Sequence, residues 1–318
     1  MRDKISIAIA TYNGEKYLRE QLDSLYTQTF IPNEVIAVDD CSTDNTITIL
    51  EEYHQKYGLI YHINDATMGV NKNFEKAINL CSNDYIALCD QDDVWLPHKI
   101  ETSYLRLKSI ENNLPSLVSS RCINVDANLK LISKPITAKD SDSYITTLLG
   151  HHSQGCSLMM NRALLKYILP FPMDNKIIFD GYIGLIAAMV GNKYNIAETL
   201  MYYRHHQSNL FGMVNMRQKS FFLRLKNRYS NRYPKFASET RLYHMKIIAD
   251  LKSHYFVSNR TLLYYKFLSL DHTRNLFRKV FIIFSIKEVP FSKRCVSIGD
   301  TIISHIFSLI SRNIRSNT

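Results

Sequence analysis

Short apolar runs alternate with segments of helical spacing through the first part of the chain. Ile5–Ala10 is apolar and ends in Thr11-Tyr12-Asn13-Gly14, the pattern of a strand followed by a turn. Between Glu15 and Gln28, the apolar residues Tyr17, Leu18, Leu22, Leu25 and Tyr26 fall on one helix face. Val35–Val38 predicts a second strand, which ends at Asp39 and Asp40. Ser42 and Thr43 supply capping side chains before a predicted helix over Asp44–Tyr57. Leu59–Ile63 reads as a third strand, Asn71–Cys81 as a helix, and Tyr85–Cys89 as a fourth strand that stops at Asp90. A helix follows from about residue 100 to Asn112. Weaker strand patterns cover Leu117–Val125, Ser157–Met160 and Tyr194–Tyr203. Beyond Asn215 the pattern is helical, with many aromatic and basic residues and no repeat.

Strand–helix–strand order predicts an α/β fold with a parallel sheet and helices on both faces. Ligands bind such sheets at the carboxyl ends of the strands. Three of the first four strands end there in polar groups: Thr11-Tyr12-Asn13, Asp39-Asp40, and Asp90-Gln91-Asp92-Asp93.

Charge divides the chain. The 318 residues carry a net +10, yet residues 1–214 are acidic, with 19 Lys and Arg against 24 Asp and Glu. Residues 215–318 have 20 against 5. We therefore expect a catalytic domain over 1–214 and a basic helical extension over 215–318. The extension calls for a polyanion such as an acidic membrane or a pyrophosphate-linked substrate. Nucleic acid is not expected, because no recognition motif is present and the acidic part would repel it. Six cysteines without a CxxC spacing read as reduced thiols of a cytosolic protein. Met1-Arg2-Asp3-Lys4 and the short run after it do not make a signal peptide. No run reaches the ~20 apolar residues of a membrane span.

Four constellations carry chemistry. In Asp90-Gln91-Asp92-Asp93, three carboxylates repel one another in four residues, which asks for a hard divalent cation, Mg²⁺ or Mn²⁺, or else marks a solvated loop capped by Asp93. Asp39-Asp40-Cys41-Ser42-Thr43-Asp44 offers acceptors for a base imide or ribose hydroxyl, and also a helix cap. Asp180 stands among apolar residues, where burial raises a carboxylate's pKa and makes it a better base; a helix-capping role fits equally. Arg204, His205 and His206 follow an apolar segment and offer a phosphate-binding cation and a metal ligand, or a structural histidine pair.

Ala10-Thr11-Tyr12-Asn13-Gly14, Val38-Asp39-Asp40-Cys41-Ser42-Thr43-Asp44 and Asp90-Gln91-Asp92-Asp93-Val94-Trp95, in this order and spacing, resemble family 2 glycosyltransferases of the GT-A fold, a Rossmann-like nucleotide-diphospho-sugar transferase. Asp180 and Tyr203-Arg204-His205-His206-Gln207-Ser208-Asn209 resemble the bacterial rhamnosyltransferase-like branch. The resemblance covers about residues 4–210. It implies that Thr11, Tyr12, Asn13, Asp39 and Asp40 hold a uracil or thymine base and its ribose, with Gly69 and Asn73 near the nucleotide. It implies Asp90 on ribose or sugar, Asp92 as main metal ligand with Asp93 and His206 nearby, and Arg204 at the pyrophosphate. Asp180 matches the family's catalytic base, and Gly155 and Cys156 a segment that lines the acceptor site. The sequence departs from the pattern at Cys41, where glycine is frequent, and around Asp180, where the branch has His before the Asp and Trp after it.

With one base and no nucleophile, the implied reaction is an inverting, metal-dependent transfer from a UDP- or dTDP-sugar. The expected acceptor is a lipid-linked glycan of O-antigen or capsule synthesis. Basic amphipathic segments such as Phe277–Ile286 would dock the enzyme peripherally on the cytoplasmic membrane face, or pack on the catalytic domain. Three other readings fit less of the chain. Asp90-Gln91-Asp92-Asp93-Val94 matches the nucleophile pattern of haloacid-dehalogenase-like phosphatases, but that motif belongs on a first strand. A nucleotidyltransferase would show a Gly-rich basic loop after the first strand. A non-catalytic sugar-nucleotide or glycan-binding protein would not need the carboxylates at 90, 92, 93 and 180.

Overall fold

A computed structural model describes residues 3–111, 113–132, 141–142, 153–172 and 178–206, with positions 247 and 249. The chain divides into two compact units, Met1–Met213 and Val214–Thr318, and the described residues lie almost wholly in the first. The basic extension expected over 215–318 lies outside the described residues, apart from those two positions.

The first unit is built on one sheet. Its opening elements are β1 (Ile5–Thr11), α1 (Leu18–Tyr26), β2 (Glu34–Asp39), α2 (Thr46–Tyr57), β3 (Ile60–Ile63), α3 (Val70–Leu80) and β4 (Tyr85–Cys89). Then come β5 (Val94–Trp95), α4 (Lys99–Ile110), β6 (Ser116–Val125), β7 (Ser141–Asp142), β8 (Leu158–Asn161), α5 (Leu165–Ile168), α6 (Phe179–Val190) and β9 (Asn192–Arg204). The strand order is β3-β2-β1-β4-β8-β6-β9-β5, with β7 paired to β9.

β1 pairs parallel with β2 on one side, Ile7 opposite Val35, and with β4 on the other, Ile7 opposite Ala87. The chain therefore winds outward from β1 to β2 and β3, then returns to the far side of β1. The reversal opens a crevice beyond the carboxyl ends of β1 and β4, where sheets of this kind bind ligands.

Alternation along the strands decides which face each residue covers. Ile5, Ile7 and Ile9 join Leu18, Leu22, Leu25, Ile49, Leu50, Ile100 and Leu107 in one core, so α1, α2 and α4 cover that face. α3 covers the opposite face of β1 and β2 with Phe74, Ala77 and Ile78, and Phe74 stacks on Phe179 of α6 at 4.1 Å between ring centres. Each fully buried Ile or Leu contributes roughly 1.5–3 kcal/mol by leaving water.

Beyond β4 the sheet is mixed, which corrects the parallel sheet expected from element order. β8 inserts antiparallel between β4 and β6, and β5 runs antiparallel to β9, while β6 and β9 are parallel. Apolar alternation marks a strand but does not encode its direction. α6 escapes periodicity for another reason. Every residue except Asp180 and Val190 is buried, so no polar face exists to show a helical repeat. Among the described residues, no helix is long and apolar enough to cross a membrane.

Candidate active site

The ends of β1 and β2 and the start of α3 form one hydrogen-bonded unit. Asp39 is fully buried; its carboxylate accepts from the Thr11 hydroxyl (2.8 Å), the Ser42 backbone N–H (2.8 Å) and the Ser42 hydroxyl (2.6 Å). Asp40 accepts from the Asn64 amide (2.8 Å) and the N–H groups of Met68 (2.7 Å) and Gly69 (2.8 Å). Gly69, at φ +82°, takes a left-handed backbone that a side chain would strain, and so lets the loop turn into α3. The buried Asn73 donates to the Val38 carbonyl (2.8 Å) and accepts from Asn64 (3.0 Å). Tyr12 and Asn13 sit above this base. Tyr12 is 51% exposed, and Asn13, at φ +48°, accepts the Thr43 N–H at 2.8 Å.

Gln91 joins this rim to β4. Its amide oxygen accepts the Tyr12 N–H (2.8 Å) and its amide nitrogen donates to the Tyr12 carbonyl (2.9 Å). The sequence motif by itself assigns Gln91 no role. The available signal is its chemistry, since an amide side chain can satisfy a backbone donor and acceptor together.

The three carboxylates after β4 separate. Asp92 contacts His206 Nε2 at 2.8 Å, and the His206 ring lies 4.6 Å from that of Tyr17. Asp93 groups instead with Asp90 and Cys156, whose possible ligand atoms all lie within 4.8 Å of one another. Asp92 and His206 thus meet each other, while Asp93 and Cys156 lie with Asp90. Burial, then the neighbouring Asp92 and Asp180, push Asp90 up to about 7. Burial, then Asp90 and Asp92, hold Asp93 well above the carboxylate range, although the Arg204 N–H bonds it at 3.0 Å. Burial and both carboxylates also hold the Cys156 thiol high.

Arg204, expected at the pyrophosphate, is 2% exposed and turned to protein acceptors. It donates to the carbonyls of Asp92 (2.8 Å) and Ala127 (2.7 Å), pairs with Glu20 (2.5 Å), and lies 4.7 Å over the Tyr17 ring. It braces the chain segment that presents Asp92 and His206. Glu20, its partner from α1, was not singled out in the sequence.

Asp180 lies in the first turn of α6 and accepts the N–H groups of Gly181 (2.6 Å) and Gly155 (3.2 Å). Burial raises its pKa, while those donors and the charge of Lys193 oppose the rise. Lys193 is itself buried, and burial lowers it to about 8. Gly155 must be glycine for space, because a Cβ there would stand 2.4 Å from Phe179 Cζ. The field between Asp180 and Asp90 links the start of α6 to the end of β4.

The chain resembles known proteins across this region. It is 31% identical over 218 residues to an uncharacterised glycosyltransferase of a Nostoc strain, spanning 65% of this chain and 66% of the relative, just under two thirds. It is 29% identical to the dTDP-rhamnosyl transferase RfbG of Shigella flexneri, over 68% of this chain and 78% of that protein. The crystal structure of S. aureus TarS in complex with UDP-GlcNAc superposes with a TM-score of 0.58 at 20% identity, covering 95% of this chain and 81% of TarS, a likeness of fold. The family model of glycosyl transferase family 2 matches residues 6–169. A fold of this kind, with its polar strand ends at the sheet crevice and its sequence matched over more than half its length, places the chain in glycosyl transferase family 2.

Proposed function

We propose that this protein transfers a sugar from a UDP- or dTDP-sugar to a glycan hydroxyl, with inversion at the anomeric carbon. The observation that carries the reading is the meeting, at one crevice, of the rim formed by β1 and β2, the carboxylates after β4, and Asp180 at the start of α6. In this reading Tyr12 and Asn13 face the base and ribose. Thr11, Asp39, Asp40, Gly69 and Asn73 hold the rim in shape from below, since their polar groups bond one another. Asp90 faces the ribose or the sugar.

The donor's diphosphate carries the charge that grows as the bond to the sugar breaks. Asp92 and His206, already in contact, would hold a Mg²⁺ or Mn²⁺ ion, and Arg204 keeps them in position from behind. When bound, such an ion neutralises the departing diphosphate. Asp180 takes the proton of the acceptor hydroxyl as that oxygen bonds the anomeric carbon and the bond to the diphosphate breaks. A raised pKa strengthens it as a base, while Lys193 favours its ionised form. In this reading Asp180 acts as a base and not as a nucleophile, so a single displacement inverts the sugar. Gly155 lines the acceptor side, next to Asp180.

The rhamnosyl relative favours dTDP-rhamnose as donor, and TarS, solved with UDP-GlcNAc, favours a UDP-sugar. A lipid-linked glycan of O-antigen or capsule synthesis is the acceptor we favour. Peripheral attachment to the inner membrane face through the basic residues 215–318 suits such an acceptor. A donor screen tests the assignment: UDP-, dTDP- and GDP-sugars with Mg²⁺ or Mn²⁺, read by nucleoside diphosphate release and thermal shift. One donor should stabilise the protein and turn over, and Asp92→Asn and Asp180→Asn should each lower turnover at least a hundredfold. If no donor stabilises the protein with metal present, the reading fails.

A further inference from the structure

The register that pairs β1 with β4 runs from Ile5 opposite Tyr85 to Ile9 opposite Cys89 and stops there. Past that point each chain is held on its outer side. The first turns toward β2, where the Asn13 N–H donates to Ser42 Oγ (2.8 Å) and the Gly14 N–H to Thr46 Oγ1 (2.8 Å). The second runs into Asp90–Asp93, where Arg204 donates to the Asp92 carbonyl (2.8 Å) and His206 meets the Asp92 carboxylate (2.8 Å). Gln91 spans the gap between the two. Its amide takes both polar groups of the Tyr12 main chain, the N–H at 2.8 Å and the carbonyl at 2.9 Å, like one more rung of the ladder.

Gly14 supplies a second, independent observation. Its φ lies outside the left-handed region, so no backbone strain asks for glycine there. The demand is for space. A Cβ at this buried position would stand 2.4 Å from Gln91 Oε1 and 2.7 Å from its Cδ, so the missing side chain leaves room for the amide. Stability alone does not explain the arrangement. Tyr12 is exposed, and water could serve its N–H and carbonyl nearly as well. What water cannot supply is a fixed span.

We propose that Gln91 is a positioning residue, which fixes the distance between the turn that faces the donor's nucleoside and the carboxylate segment that faces its diphosphate. This rests on the transferase reading above. A nucleoside diphosphate reaches both places at once, and its two halves reinforce each other only where the span between their sites matches. Gln91 acts through the main chain of Tyr12 and of its own neighbours Asp90 and Asp92. It therefore serves the whole nucleotide and neither half alone.

The test is binding to the full chain with Mn²⁺ present. UDP and dTDP are titrated by calorimetry, and uridine and thymidine, which carry no phosphate, by ligand-detected NMR. Gln91→Ala should weaken the nucleoside diphosphate about tenfold and the nucleoside by less than about twofold, with the thermal midpoint of the free chain unchanged. Gly14→Ala should give the same loss by pushing the amide aside. The double variant should lose no more than either single one, because both act through one contact. Unchanged diphosphate affinity in Gln91→Ala overturns the proposal. A nucleoside affinity that falls in step also overturns it, since Gln91 would then belong to the base pocket. So do losses that multiply in the double variant, which would give Gly14 a role of its own. Wild type that binds neither UDP nor dTDP overturns the transferase reading, and this proposal with it. Should Gly14→Ala not fold, the split between nucleoside and diphosphate in Gln91→Ala decides alone.

Discussion

Asp90 is a carboxylate held where its charge is poorly supported, by burial and by Asp92 and Asp180. Its pKa of about 7 when folded stands above an unfolded value near 4. Between those values the folded chain binds the extra proton, so this group stabilises at low pH and its contribution is lost as pH rises through 7. Asp90→Asn removes the loss. In metal-free buffer the variant should equal or exceed wild type at pH 7.5 by on the order of 1 kcal/mol, with the advantage gone near pH 4. Urea midpoints at the two pH values check this, and equal pH dependence in both proteins would refute it. Lys193 acts in the opposite sense on Asp180, because its charge favours the ionised base. Lys193→Met should shift the acid limb of the pH–rate profile upward, while donor binding measured by thermal shift stays unchanged. At this scale the sequence marked Thr11, Asp39, Asp40, Asp90, Asp92, Asp93 and Asp180 by residue type and strand position. It did not reveal which lone pairs are already used. Asp39 spends its oxygens on Thr11 and Ser42, and Arg204 bonds Glu20 and two carbonyls; Thr11 is 28 residues from Asp39 and Glu20 is 184 from Arg204, distances no local pattern spans.

At the scale of elements, α6 carries Asp180 on a surface packed without spare room. The Phe179 ring is fixed between Phe74 and Gly155, and a Cβ at 155 would press on two of its carbons, at 2.4 and 2.8 Å. Gly155→Ala should therefore displace the start of α6, costing about 1–3 kcal/mol and lowering kcat at least tenfold with KM for the donor little changed. A variant with wild-type kcat would show that α6 gives way freely. The first four strands were legible because each alternates or is wholly apolar and ends in turn residues. α6 was not, since a helix buried on all sides has no period to read. β5 was not, since two residues make no pattern, although Val94–Trp95 anchors β9 beside the carboxylates.

At the scale of the molecule, charge is uneven along the chain, net negative before residue 215 and strongly net positive after it. If the basic stretch meets an anionic membrane, each Lys or Arg near the surface contributes about 1 kcal/mol. Replacing Arg274, Arg278 and Lys279 by Gln should then weaken partition onto phosphatidylserine vesicles roughly a hundredfold. Vesicle sedimentation at low and high salt measures this, and binding indifferent to both salt and substitution would refute membrane docking.

The brace from Glu20 to Arg204 has a consequence for synthesis. The first helix emerges early, but the residue that locks it to the carboxylates arrives 184 positions later. Until Arg204 and His206 have left the ribosome, Asp92 and Asp93 lack the hydrogen bonds those two residues supply. Translation of the ~100 residues that follow takes roughly 5–20 s. In that interval the first unit can complete its site while its basic successor is still being made, before a highly cationic segment is free to meet the unfinished acidic one.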